Sequence, residues 1–143
     1  MEQMKNSLIF ILELALILFL LTSCAGEIVP EEERITINFS YESVTGFDYY
    51  DEYSDGVETW DVGGEVDVGI NQITVDLDSE EETFDEEYDI DSVRKSEQDG
   101  RDVYTYYFEE GEFKMYIEND NEVYLANISL HNREHLNFNG ITQ

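Results

Sequence analysis

The residues best equipped for chemistry stand together near the end of the chain, in His131-Asn132-Arg133-Glu134-His135. Two imidazoles at this spacing hold a divalent cation when a helix turns both to one side, and the intervening carboxylate can then activate a bound water. Here the motif follows a strand-like run, and eight residues remain after His135. The expectation is therefore a polar turn rather than a metal centre. Carboxylates elsewhere raise the question of calcium. Asp51-Glu52-Tyr53-Ser54-Asp55-Gly56 opens like a helix-loop-helix calcium loop, with Asp51 first, Asp55 fifth and Gly56 sixth. Tyr53 occupies the third position and Val62 the twelfth, where a bidentate acid is required. The loop fails on its ligands.

The H-x-x-E-H spacing resembles that of the inverzincin metalloproteases, which implies His131 and His135 as zinc ligands and Glu134 as the base. That resemblance needs a helix and a further carboxylate ligand downstream, and the sequence around the motif offers neither. No G-x-S-x-G nucleophile elbow and no phosphate-cradling glycine loop occurs. The reading is a non-enzyme without a cofactor. Candidate ligand contacts are instead aromatic. Tyr49, Tyr50, Tyr53 and Trp60, with Phe47, are interleaved with acids and would suit a sugar or peptide platform. The alternative is that Trp60 and some of the tyrosines belong to the core.

The lone cysteine carries the firmest expectation. Leu8 to Leu21 is an apolar run interrupted only by Glu13 and preceded by Lys5, the layout of an export signal. It is shorter than the roughly 20 residues that a membrane-crossing helix needs. At its end stands Leu21-Thr22-Ser23-Cys24. This tetrapeptide resembles the lipobox of bacterial lipoprotein precursors. The resemblance implies cleavage between Ser23 and Cys24, diacylglycerol on the Cys24 thiol, fatty acylation of palmitate type, and anchoring of the chain outside the cytoplasm in the cell envelope. It covers 24 residues and says nothing about the fold beyond them.

Charge bounds the partners. The chain of 143 residues carries 35 acidic and 7 basic side chains, a net charge of −28. Nucleic acid would be repelled at any approach. A basic protein or a cationic ligand would be attracted. The leading function is a lipid-anchored binding module, in one version an inhibitor or immunity lipoprotein. The alternatives are an accessory structural subunit of an envelope complex and a calcium-binding surface domain.

The elements expected to position these residues are strands. Residues 1–23 read as signal peptide, 24–33 as an acidic tether containing Pro30, and 34–143 as one domain. Ile35, Ile37, Phe39 and Tyr41 alternate with polar residues, as do Val66, Val68 and Ile70, then Ile73, Val75 and Leu77. The phase slip between Ile70 and Ile73 implies a tight turn or a bulge. Val103 to Phe108, Glu112 to Glu118 and Glu122 to Leu130 are three strand-like runs joined by short turns. The predicted class is all-β, a small antiparallel meander forming a barrel or sandwich. Asp76 to Asp91, with 10 acids in 16 residues, is the exception. It reads as a loop or one short helix near residues 79–93, on the spacing of Phe84 and Tyr88 and with Ser79 as a cap.

Overall fold

Alternation of apolar and polar side chains turns directly into strands. The computed structural model describes residues 26–48, 57–60, 63–78, 83–119, 122–131 and 134–143. Over 47–48, 57–60, 77–78, 83–85 and residue 134 that description covers the backbone. The lipobox and Tyr49, Tyr50 and Tyr53 lie outside the described residues.

Twelve strands are described: β1 (Glu27–Ile28), β2 (Ile37–Tyr41), β3 (Ser43–Asp48), β4 (Val57–Trp60), β5 (Gly64–Val68), β6 (Gln72–Asp78), β7 (Thr83–Asp89), β8 (Ser92–Gln98), β9 (Arg101–Phe108), β10 (Gly111–Glu118), β11 (Glu122–Leu130) and β12 (Glu134–Asn139). They form an eight-stranded sheet, in the order β1-β8-β9-β10-β11-β12-β3-β4, and a four-stranded sheet, β2-β5-β6-β7. Every pairing is antiparallel. The two sheets pack face to face as a sandwich, not a closed barrel. Thr142 exchanges two backbone hydrogen bonds with Ser40, and the Glu42 amide donates to the Asn139 carbonyl at 2.8 Å. Those bonds strap the sheets together along one side.

The core lies between the sheets. Phe39, Val66, Val68 and Ile73 from the small sheet meet Val93, Tyr106, Phe113, Met115, Ile128 and Phe138 from the large one, all below 2 % exposed. Phe138 is central: Phe39 meets it edge-on at 6.3 Å, Tyr41 at 4.8 Å and Phe113 at 6.5 Å. Tyr88 stacks on Phe108 at 4.6 Å, joining β7 to β9. Each such pair contributes about 0.5–1.5 kcal/mol beyond its buried area.

Two expectations are corrected. Among the described residues no helix stands near 79–93: Thr83–Asp89 and Ser92–Gln98 are strands, and β7 pairs along its full length with β6. Residues 79–82 lie outside the described residues. Phe84 and Tyr88 are four apart, a spacing that suits one helical face but, being even, suits one strand face equally. Burial decides between them, because a strand pairs with β6 and brings Tyr88 onto the core. Part of the stretch read as a tether also joins the sheet. Glu27 and Ile28 pair with Lys95 and Arg94, and the buried Val29 donates its amide to the Val93 carbonyl at 2.9 Å. A single 3-10 turn, Glu31–Glu33, then leads toward β2.

The slip between Ile70 and Ile73 is a tight turn, closed by a hydrogen bond from the Gly69 amide to the Gln72 carbonyl at 2.8 Å. A bulge occurs elsewhere, between β10 and β11. Tyr116 pairs with Leu125 but Ile117 with Val123, which leaves Tyr124 as the extra residue, 56 % exposed.

Candidate binding face

The four-stranded sheet buries one side and turns the other to solvent. Along β5, Val66 and Val68 are buried while Glu65 and Asp67 are exposed. Along β6, Ile73 and Val75 point inward and Thr74 and Asp76 outward; along β7, Tyr88 points inward and Glu87 and Asp89 outward. The outer face therefore carries Glu65, Asp67, Asp76, Glu87 and Asp89, and no lysine or arginine among the described side chains. Register brings the acids together: Glu65 lies across from Asp76, and Asp76 across from position 85 on its other side.

Like charges directly opposed on a sheet cost about 0.2–1 kcal/mol per pair. Burying a valine or isoleucine on the inner side returns about 1.5–3 kcal/mol. The apolar side wins, which is why so acidic a stretch still forms strands. Polar neighbours offset part of the repulsion, with Gln72 Nε2 donating to Glu87 Oε2 at 3.2 Å. Underneath, the buried Tyr41 hydroxyl donates to the Asp76 carbonyl at 2.8 Å. Burial, together with the Asp76 charge, holds the Tyr41 phenol well above its ordinary titration range. The acidic face thus rests on a fixed backbone.

The outer face of the eight-stranded sheet is different. Arg94, Thr105, Lys114, Asn127, Asn137 and Thr45 run across it in one ladder row, with Ile28 beside Arg94. Lys114 bonds Glu112 at 2.9 Å, and that contact raises the lysine's affinity for its proton. Arg101 bonds Glu118 at 2.8 Å and lies 4.0 Å over the Tyr124 ring. Tyr107 and Tyr116 are half-buried on the same side. This face holds Arg94, Arg101 and Lys114 against Glu112, Glu118 and Glu122, a balance of charge in a chain whose total is −28. Charge is divided between the two broad faces.

The other residues singled out by type, where described, lie away from this face. His135 sits in β12 with Nδ1 2.6 Å from Ser129 Oγ, and His131 lies in the turn after β11. A strand here replaces the helix on which a two-histidine zinc site depends. Among the described residues, no three of His, Cys, Asp and Glu converge to hold a metal ion. Trp60 lies in β4 across from Val44. An open recess of about 610 Å³ lies at the ends of β8, β9 and β10, bordered by Asp99, Arg101, Asp102, Glu118 and Asn119. Arg101 pairs there with Glu118, and Asp102 with Lys95 at 2.7 Å.

Sequence reasoning missed the acidic face as a unit. The signal lay in Glu65 and Asp67 alternating with Val66 and Val68, and in Thr74 and Asp76 alternating with Ile73 and Val75. Reading residues 76–91 as a loop or one short helix removed β7 from the sheet. Comparison with known protein families, with curated proteins and with solved structures finds no match to this chain.

Proposed function

We propose that this chain is a lipid-anchored extracytoplasmic binding domain, held to a membrane through Cys24, that docks a basic protein or other cationic partner on the outer face of β2-β5-β6-β7. One observation carries the reading: Glu65, Asp67, Asp76, Glu87 and Asp89 share one sheet face, on which no described side chain is a lysine or an arginine. A field of one sign over a rigid surface accelerates encounter with an oppositely charged partner and selects against anionic ones. Binding, not catalysis, is the activity in this reading, and an inhibitor or immunity role toward a basic toxin or wall-acting enzyme is its most specific form.

The test is affinity capture from detergent-extracted envelopes, comparing the parent with a variant carrying Glu65→Gln, Asp67→Asn, Glu87→Gln and Asp89→Asn. A partner that the parent retains at low salt should be lost near molar salt, where screening shortens to about 3 Å. The variant should not retain it at either salt. Equal capture by both proteins would remove the acidic face from the account.

A further inference from the structure

We propose that the outer face of the eight-stranded sheet is a membrane-docking surface, seated on the anionic phospholipid surface to which the chain is anchored; this rests on the lipid reading of Cys24. Length limits how far the domain can stand from its anchor. Only Ala25 separates Cys24 from Gly26, and the two residues from 24 to 26 span at most about 7 Å. From Glu27 the chain is paired to β8, and the Gly26 carbonyl accepts a hydrogen bond from Arg94 Nη1 at 3.4 Å. No free tether lifts the domain. An acyl chain on Cys24 holds the edge of this sheet at the bilayer.

Charge then selects between the faces. From that edge the domain can rest on either broad face, and the two are not equivalent. The outer face of β2-β5-β6-β7 presents five described carboxylates and is repelled by anionic headgroups. The opposite face sets Arg94, Arg101 and Lys114 against Glu112, Glu118 and Glu122 among the described side chains, so its charges balance and it escapes that repulsion. The headgroup field acts within a Debye length, about 8 Å at physiological salt, so it repels the acidic face without opposing a balanced one on the far side of the sandwich.

The apolar groups on this side suit a bilayer interface. Ile28 is 64 % exposed immediately beside Arg94, close to where the anchor leaves. Tyr124, 56 % exposed, extends from the bulge under Arg101, and Tyr107 and Tyr116 lie along the same side. Tyrosine with neighbouring arginine or lysine suits the headgroup layer, where a ring is half-solvated and a cation meets phosphate. Seated this way, the domain turns its acidic sheet away from the bilayer, toward a partner.

The test uses the full chain purified from bacterial membranes and reconstituted in phosphatidylcholine–phosphatidylglycerol vesicles that contain a nitroxide-headgroup lipid. A fluorophore is placed through Asn127→Cys on the large sheet or Asp67→Cys on the small one, and intact mass reports acylation of Cys24. With lipid on Cys24, severalfold stronger quenching at position 127 than at 67 is expected. The difference should shrink when Arg94→Gln and Lys114→Gln are added. Equal quenching, stronger quenching at 67, or indifference to the two neutralisations would overturn the docking surface while leaving the anchor intact. A free thiol at Cys24 would overturn the anchor, and the docking with it.

Discussion

Glu65 and Asp76 stand directly across from each other in the β5–β6 ladder, both on the solvent side, with the Asp76 carbonyl held from beneath by the Tyr41 hydroxyl. A sheet built for stability alone would place a lysine at one of these positions. Keeping two carboxylates there costs stability, and the cost is measurable. Glu65→Gln should stabilise the domain by about 0.2–1 kcal/mol in urea unfolding at low ionic strength. The gain should fade as salt is added. A destabilised Glu65→Gln would mean that the carboxylate is held by a favourable contact instead.

Two buried tyrosines separate a satisfied hydroxyl from an unsatisfied one. Tyr41 donates to the Asp76 carbonyl, whereas the Tyr106 hydroxyl, in a fully buried side chain, has no hydrogen-bond partner among the described residues. Tyr41→Phe should cost about 1 kcal/mol, because it removes a bond and leaves a carbonyl behind. Tyr106→Phe should be neutral or stabilising. The order of the two melting temperatures checks this, and the reverse order contradicts it.

The same two groups set an alkaline limit. Burial raises both phenols above the ordinary value of 10.0, with the Asp76 charge adding to the effect at Tyr41. Above that pH the unfolded chain releases these protons while the folded chain keeps them. Their contribution is therefore complete below pH 10 and is lost as pH rises beyond it. Unfolding free energy measured between pH 9 and pH 11 should fall on the alkaline side, and less steeply in Tyr106→Phe. Identical slopes would show that Tyr106 ionises as freely as an exposed tyrosine.

Gly111 begins β10, where a Cβ would run into the Ser129 carbonyl and Leu130 of β11. Gly111→Ala should cost about 1–3 kcal/mol through forced displacement of the ladder. Gly100, in the β8–β9 turn, has φ +78° and open space around it, so Gly100→Ala carries backbone strain alone. Thermal unfolding of the two variants should show folding intact in both. Cross-strand amide protection in β11 should fall only in Gly111→Ala.

Most of the architecture was legible, because period-two alternation is a direct consequence of strand geometry with one face buried. Ile37-Phe39-Tyr41, Val66-Val68 and the three consecutive runs ending at Leu130 became β2, β5 and β9 to β11. What was not legible depended on partners distant in sequence. Glu27 and Ile28 carry no alternation, and only β8, nearly seventy residues away, makes them a strand. Residues 83–89 looked too repulsive to order, since their burial against β6 and Phe108 is invisible in a local window. The division of charge between faces needed the pairing register: Arg94, Lys114 and Thr105 are far apart in sequence and adjacent only in the ladder.

The central claim is that the position of the acids on the small sheet, rather than the total charge, makes the binding surface. Two variants of equal charge separate these. One neutralises Glu65, Asp67, Glu87 and Asp89; the other neutralises Glu97, Asp99, Glu109 and Glu110, which are exposed at the turns bordering β9. Each is titrated calorimetrically with an oligolysine peptide at low salt, beside the parent. The account predicts that the first variant loses most of its affinity and the second stays close to the parent. Equal losses in both would contradict it.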